Sequence, residues 1–212
     1  MRMIRNNIFI CILFPIISFS QTNDFQIWAS FVTSDKVTYK TDIDLKYGAK
    51  FRENSSLLSE SFFDLKLAYE YNKHISCAIG YRDIYEVNTN YSIDDKDRYY
   101  IDLNLREKKK RFVFLIRNRY QQQGNINGYD VLFRNKLTIR YNLRKTKIEP
   151  SLSAECFYTQ QKLIEKARYR VVWSLPVNKK TEVQFSYGIQ QQFNKANTET
   201  LFILGSRLAY DF

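Results

Sequence analysis

The stretch VTYKTDIDLKYGAKFR, residues 37–52, decides the fold class. Val37, Tyr39, Thr41, Ile43, Leu45, Tyr47, Ala49 and Phe51 alternate with Thr38, Lys40, Asp42, Asp44, Lys46, Gly48, Lys50 and Arg52. A helix would mix the two sets on every face, whereas a strand separates an apolar face from a charged one. Read as one strand, sixteen residues is long for a globular sheet and suits a tilted strand that crosses a bilayer and protrudes beyond it.

The same period of two recurs to the end of the chain. Phe63, Leu65, Leu67 and Tyr69 oppose Asp64 and Lys66; Tyr99, Ile101, Leu103 and Leu105 oppose Arg98, Asp102 and Asn104. The last run places Phe202, Leu204, Leu208, Tyr210 and Phe212 on one face. Ten such segments follow Val37, and an eleventh occupies residues 25–33. Bacterial single-chain membrane barrels have an even number of strands with both ends on one side. The expectation is therefore a closed antiparallel transmembrane β-barrel of about ten to twelve strands. Residues 37–212 form the barrel, and residues 21–36 are an N-terminal segment with a short strand. The connections alternate in length. The short set, near residues 72–74, 107–111, 144–147 and 177–180, is rich in Lys and Arg. The longer set falls near 52–60, 88–97, 121–130, 160–166 and 194–199. Short periplasmic turns and longer outer loops fit that alternation, and they put much of the net charge of +11 on one rim.

Residues 1–20 have the form of a secretory signal: Arg2 and Arg5, an apolar run over residues 8–19, then Ser18-Phe19-Ser20 before a mature start at Gln21. The apolar run is short and holds Pro15, which argues against a retained anchor. Cys11 lies inside it, not after it, which argues against a lipid-bearing cysteine. No later segment approaches the ~18 uncharged apolar residues of a spanning helix. Sixteen Tyr and sixteen Phe exceed the needs of a small soluble core and suit aromatic girdles at two interfaces. Localisation in the outer membrane of a Gram-negative bacterium follows as the expectation. Outer-membrane lipids and the barrel-assembly machinery, engaging the C-terminal strand, are the expected partners. Cys77 and Cys156 fall on apolar faces and read as small lipid-facing side chains, not a disulfide.

Residues that carry chemistry are few. Lys108-Lys109-Lys110-Arg111 has the composition of a nucleic-acid patch, but between two strands of an exported chain it reads as a solvated turn, and no nucleic-acid partner is expected. The single mature histidine, His74, lies in a predicted turn with no nucleophile placed beside it, so no catalytic residue is assigned and the chain is not read as an enzyme. Asp94-Asp95-Lys96-Asp97 lacks the spacing and the closing Glu of a calcium loop. No metal, phosphate-loop or other cofactor signature is present. The remaining candidate is the inward face of the central strands. There Arg117, Arg119, Arg134, Lys136 and Arg140 outnumber nearby carboxylates and form a candidate lumen site for small anions. Such cations either plug the lumen as ion pairs or line a narrow anion-preferring pore.

The opening Asp24-Phe25-Gln26-Ile27-Trp28, the alternating stretch after it, the central Arg117-Asn118-Arg119 and the closing Arg207-Leu208-Ala209-Tyr210-Asp211-Phe212 together resemble the exported barrel family known as domain of unknown function 2490. The resemblance covers nearly all of residues 21–212. It implies an outer-membrane barrel and carries over no functional residue. The reading is a passive outer-membrane barrel, structural or a narrow anion-preferring pore. The alternatives are a closed barrel holding a small anionic or lipid ligand, and a soluble periplasmic β-sandwich or lipocalin-like binder. The last two folds would bury the apolar face and wet the charged one.

Overall fold

The computed structural model describes residues 23–88, 90–159, 164–193 and 199–212. The signal segment expected over residues 1–20 lies outside the described residues. Eleven strands follow one another: β1 (Asn23–Thr38), β2 (Thr41–Arg52), β3 (Leu57–Asn72), β4 (Ile75–Val87), β5 (Ile93–Lys109), β6 (Phe112–Asn125), β7 (Gly128–Tyr141), β8 (Glu149–Thr159), β9 (Lys166–Pro176), β10 (Thr181–Gln192) and β11 (Thr200–Asp211). Each pairs antiparallel with its chain neighbour, and β1 pairs with β11 in parallel to close the barrel. The closed all-β barrel is as the alternation predicts, and its strand count falls inside the predicted range.

Two details differ from the sequence reading. Residues 37–52 are not one strand. β1 ends at Thr38, the chain turns at Tyr39 and Lys40, and β2 begins at Thr41. The two-residue turn alone would reverse the odd–even phase, since Thr38 pairs with Thr41, but a register shift between Lys36 and Thr38 restores it, so Lys36 pairs with Asp42 and the alternation runs through the turn without a break. Residues 25–33 are not an extra preceding the barrel. They lie within β1, a full stave that pairs from Asn23↔Thr200 to Ser34↔Asp211 on one side and from Ile27↔Phe51 to Thr38↔Thr41 on the other. The boundary drawn at residue 36 therefore falls inside a strand. The count is odd, not even, and the barrel is not wholly antiparallel: β1 and β11 both start at one rim and end at the other, so Asn23 and Asp211 lie at opposite rims. At that starting rim β2 connects to β3, β4 to β5, β6 to β7, β8 to β9 and β10 to β11; we call it the long-loop rim, although the longer loop expected near 121–130 is a two-residue turn at 126–127 because β6 and β7 run on to Asn125 and from Gly128. The opposite, short-turn rim carries the connections at 39–40, 73–74, 110–111, 142–148 and 177–180.

The two faces separate as the period of two demands. Ile79, Ile101, Leu137, Leu152, Phe185, Leu204 and Leu208 point outward and are exposed. Of twelve rings placed at the strand ends of the apolar face by the alternation, Tyr39, Tyr71, Trp173 and Phe212 near the short-turn rim and Phe63, Tyr99, Tyr120 and Phe133 near the other are exposed, while Tyr141, Tyr210, Phe51 and Tyr158 are half-buried. The inward face carries Asp64, Arg98, Asp102, Arg119, Gln121, Glu155 and Gln190, all buried. This is the reverse of a sandwich or a lipocalin-like barrel, whose apolar residues meet inside. Cys77 and Cys156 are both free thiols, on β4 and β8. The closing strand is anchored at its end, where the Phe212 N–H donates to the Ser34 carbonyl at 3.0 Å.

Apolar side chains do enter the lumen, as rings laid over glycines. A Cβ on Gly48 would run into the Phe62 ring, and one on Gly80 into the Tyr100 ring. Ala78, Ile84 and Ile203 are also buried on the inner face. The missing side chains on β2 and β4 thus make room for rings from β3 and β5, a pairing that also favours local bending of the sheet. We expect Gly80→Val to abolish the folded, heat-modifiable form on gels, because Tyr100 has no other place inside a closed barrel. Combining Gly80→Ala with Tyr100→Leu should restore it. Normal folding of Gly80→Val would show that the ring is not confined by the wall.

Candidate functional site in the barrel lumen

Seven consecutive strands, β3 to β9, supply a layer of carboxylates and guanidiniums across the middle of the lumen. Asp102 on β5 takes both arms of Arg119 on β6, at 2.6 and 2.7 Å. Asp64 on β3 accepts from Arg82 Nε at 2.6 Å and from the Tyr100 hydroxyl at 2.8 Å. Glu155 on β8 is the hub. It accepts from Arg117 and Arg134 at 2.7 Å each, and Arg168 Nη1 lies 3.6 Å away. Asp102 and Glu155 are each 3% exposed. Buried charges of this kind persist only when paired and hydrogen-bonded, and bidentate arginine is the geometry that pairs a carboxylate best.

The same guanidiniums lie on the inner rings. Arg119 sits over Tyr100 at 3.5 Å from the ring centre, Arg82 over Phe62 at 4.0 Å, Arg134 over Phe157 at 4.6 Å and Arg168 over Trp28 at 4.6 Å. Stacking of this sort is worth about 2 kcal/mol or more where water is excluded. Ring, guanidinium and carboxylate therefore form one cross-braced layer, with Arg98 held by Gln123 at 2.8 Å and Arg168 by Gln190 at 2.9 Å.

This layer redistributes the predicted anion site. Arg119 is committed to Asp102, and Arg134 to Glu155 and Gln121. Arg117 shares Glu155, although its Nε is buried with no hydrogen-bond partner among the described residues. Arg140 lies apart, near the short-turn rim, 3.8 Å from Glu149. Of the five predicted residues only Lys136 has no carboxylate within 4 Å among the described residues. Arg98 on β5 shares that condition, although Gln123 holds it, and so do three more inward cations: Lys46 on β2, Arg170 on β9 and Arg207 on β11. These three are far apart in the sequence and converge only because the sheet closes. For Arg207 and Arg170 the signal was inward phase without a carboxylate at a paired position, since Arg207 sits opposite Ser30 and Gln184 and Arg170 opposite Ser153 and Gly188; Lys46 sits opposite Val32 and Asp64, but Asp64 is taken by Arg82 and Tyr100.

The other candidates take structural places. His74 lies in the β3–β4 turn with its Nδ1 3.0 Å from Glu107 and 3.1 Å from the Arg106 carbonyl. Asp94, Asp95, Lys96 and Asp97 are not a loop; they lie in β5, where Lys96 pairs inward with Glu86 at 2.6 Å.

The layer predicts a gradient of mutational cost. Asp102→Ala leaves Arg119 buried without its partner and should cost about 3–5 kcal/mol. Asp44→Ala removes the partner of Lys66 nearer the solvent-open mouth and should cost about 1 kcal/mol or less. Urea unfolding of the barrel in detergent, followed by tryptophan fluorescence, measures both. Equal costs would show that the central layer is no drier than the mouth.

Comparison with known proteins adds the family. No curated protein matches the sequence. The model of the family described as protein of unknown function (DUF2490) matches residues 25–200, from the first stave to the start of the last. The ring-and-guanidinium layer lies within that span, and the chain belongs to the DUF2490 family.

Proposed function

We propose that this protein is a passive, integral outer-membrane β-barrel of a Gram-negative bacterium, with a lumen closed by its own charged layer. One observation carries the reading: the apolar side chains of a closed barrel face outward all round, while the charges face inward. An uninterrupted belt of exposed Leu, Ile, Phe and Tyr far exceeds what a soluble monomer leaves in water. A bilayer is the solvent that such a belt matches, and closure leaves no unpaired strand edge in the hydrocarbon. The rings at both ends of the belt suit the two lipid interfaces. Lipids are then the first partners, and the C-terminal strand ending in Phe212 is the segment that the assembly machinery would engage. The basic short-turn rim, with Lys108, Lys109, Lys110, Arg144, Lys145, Lys179 and Lys180, faces the periplasm in this orientation.

The closed form is favoured over the pore by burial. Asp64, Asp102, Arg119 and Glu155 meet across the lumen at 3–6% exposure, which leaves little path for a hydrated ion. The role is non-enzymatic in this reading, since the one histidine of the mature chain is tied to Glu107 at a rim turn.

Two measurements test it. The protein should resist carbonate extraction from membranes and run faster on gels unheated than boiled; release as a soluble species would overturn membrane integration. In planar bilayers it should be silent, and steady anion-selective current would overturn the closed lumen and restore the pore. Orientation has its own expected outcome. In a Cys77→Ser, Cys156→Ser background, Asn127→Cys in the β6–β7 turn should react with an impermeant maleimide on intact cells. Lys179→Cys at the other rim should react only after the outer membrane is opened, and the opposite pattern would invert the topology.

A further inference from the structure

The chain has 22 Asp and Glu residues, and every one lies among the described residues. No undescribed residue can therefore bring a further side-chain carboxylate into the lumen. Within the barrel, the acids near the middle are spent. Asp102 is held by Arg119, Asp64 by Arg82 and Tyr100, and Glu155 by Arg117, Arg134 and Arg168. Lys46, Lys136, Arg170 and Arg207 remain with no carboxylate within 4 Å.

These four are neighbours, on the short-turn side of the braced layer. The charges facing Lys46 are Arg82, Arg207, Arg170 and the committed Asp64. Those facing Lys136 are Arg170, Arg117, Arg168 and the committed Glu155. Arg170 faces Arg117 and Glu155. The groups thus link into one cationic ring drawn from β2, β6, β7, β9 and β11. Two of its guanidinium N–H groups, Arg117 Nε and Arg207 Nε, are buried with no hydrogen-bond partner among the described residues. The wall between Lys46 and Arg207 is small: Ser30 pairs with both Gly48 and Arg207, and Gly205 pairs with Ser186. Like charges brought this close repel, and each buried donor left without an acceptor is unfavourable. A multiply charged anion with several acceptor oxygens removes both penalties at once, and arginine forks suit tetrahedral oxyanions.

We propose that the lumen is an anion-binding site for one small oxyanion of the phosphate class, seated between Lys46, Lys136, Arg170 and Arg207. The site goes beyond the membrane reading and stands whether or not that reading holds, since it depends on the interior alone. It lies against the braced layer, which blocks passage to the long-loop rim, so the anion enters and leaves through the short-turn mouth.

The probe is inorganic phosphate, with pyrophosphate as a second, and chloride at matched ionic strength as the control. Equilibrium dialysis against the mature chain, refolded in a non-ionic detergent free of lipid, should show one saturable site per barrel. Arg170→Gln with Arg207→Gln should weaken binding at least tenfold. Lys108→Gln with Lys110→Gln, at the rim, should leave it within twofold of the parent. Folding of each variant is checked by its heat-modifiable gel shift. Should the double variant fail to fold, Lys136→Gln alone and the charge-retaining Arg207→Lys serve in its place, with weakened and nearly retained binding expected respectively. Saturable binding that appears only when phosphatidic acid micelles replace free phosphate would assign the site to a lipid headgroup and overturn entry of a soluble anion. No saturable binding of either probe, or binding lost with the rim variant and kept in the lumen variant, would overturn the proposal.

Discussion

Eleven strands cannot alternate direction all the way round a closed sheet. Ten antiparallel neighbours leave the first and last strands pointing the same way, so closure depends on the parallel ladder between β1 and β11. Twelve residue pairs, from Asn23↔Thr200 to Ser34↔Asp211, make that seam. Parallel pairing is slightly weaker per residue than antiparallel, and its length offsets this. Everything inside the barrel depends on the seam, because it sets Lys46, Trp28 and Arg207 against Arg168 and Arg170. Without β1, Trp28 would not reach Arg168 and the inner face of β11 would have no neighbour.

The lumen is organised in layers because charge and ring are placed at matched heights. Phe62 and Tyr100 need the bare backbone of Gly48 and Gly80 to lie flat. Lying flat, they offer faces to Arg82 and Arg119, which in turn reach Asp64 and Asp102. Removing any one member exposes the other two to an unfavourable interior. This interdependence makes the layer a poor place for a gate and a good place for a permanent partition. It supplies specificity of packing more than net stability, since buried ion pairs only about break even against apolar replacements.

Most of the fold was legible in the sequence because a barrel with an apolar outside and a charged inside writes its faces in a period of two. The assignment of Phe63, Tyr99, Leu137 and Leu208 outward, and of Asp64, Asp102, Arg119 and Glu155 inward, needed nothing else. β1 was harder to read for two physical reasons. Trp28 and Val32 point inward, so its alternation is blurred by apolar residues on the charged face. Its turn at Tyr39 and Lys40 contains no Gly, Asn or Pro, and the register shift between Lys36 and Thr38 keeps the phase across it, so residues 37–52 read as one strand. The candidate site was half legible. The cations of β6 and β7 stood out, but their partners did not. Arg117 reaches Glu155 across an intervening strand, and Arg134 takes Gln121 as well as Glu155. Arg170 and Arg207 gave no local signal, because what sets them apart is the lack of a carboxylate on strands that meet only in three dimensions.

The two halves of the lumen differ in a way that bears on what the barrel does. On the long-loop side several inward charges find a partner within the chain: Lys50 with Glu60, Lys96 with Glu86, Arg98 with Gln123, Arg168 with Gln190, while Arg52 lies 3.7 Å from Glu53 and keeps two buried guanidinium nitrogens without a hydrogen-bond partner among the described residues. On the short-turn side of the braced layer four cations find no such partner. A chain with 33 basic and 22 acidic residues could have placed its excess wholly on the rim turns, where water screens it at little cost. Part of the excess lies inside the barrel instead, where it is costly unless neutralised. A purely structural plug gains nothing from that placement, because paired or apolar side chains would close the lumen at least as well. The uncompensated ring is therefore the feature that a structural role leaves unexplained, and a bound oxyanion is the simplest partner that explains both its charge and its two unmade guanidinium bonds.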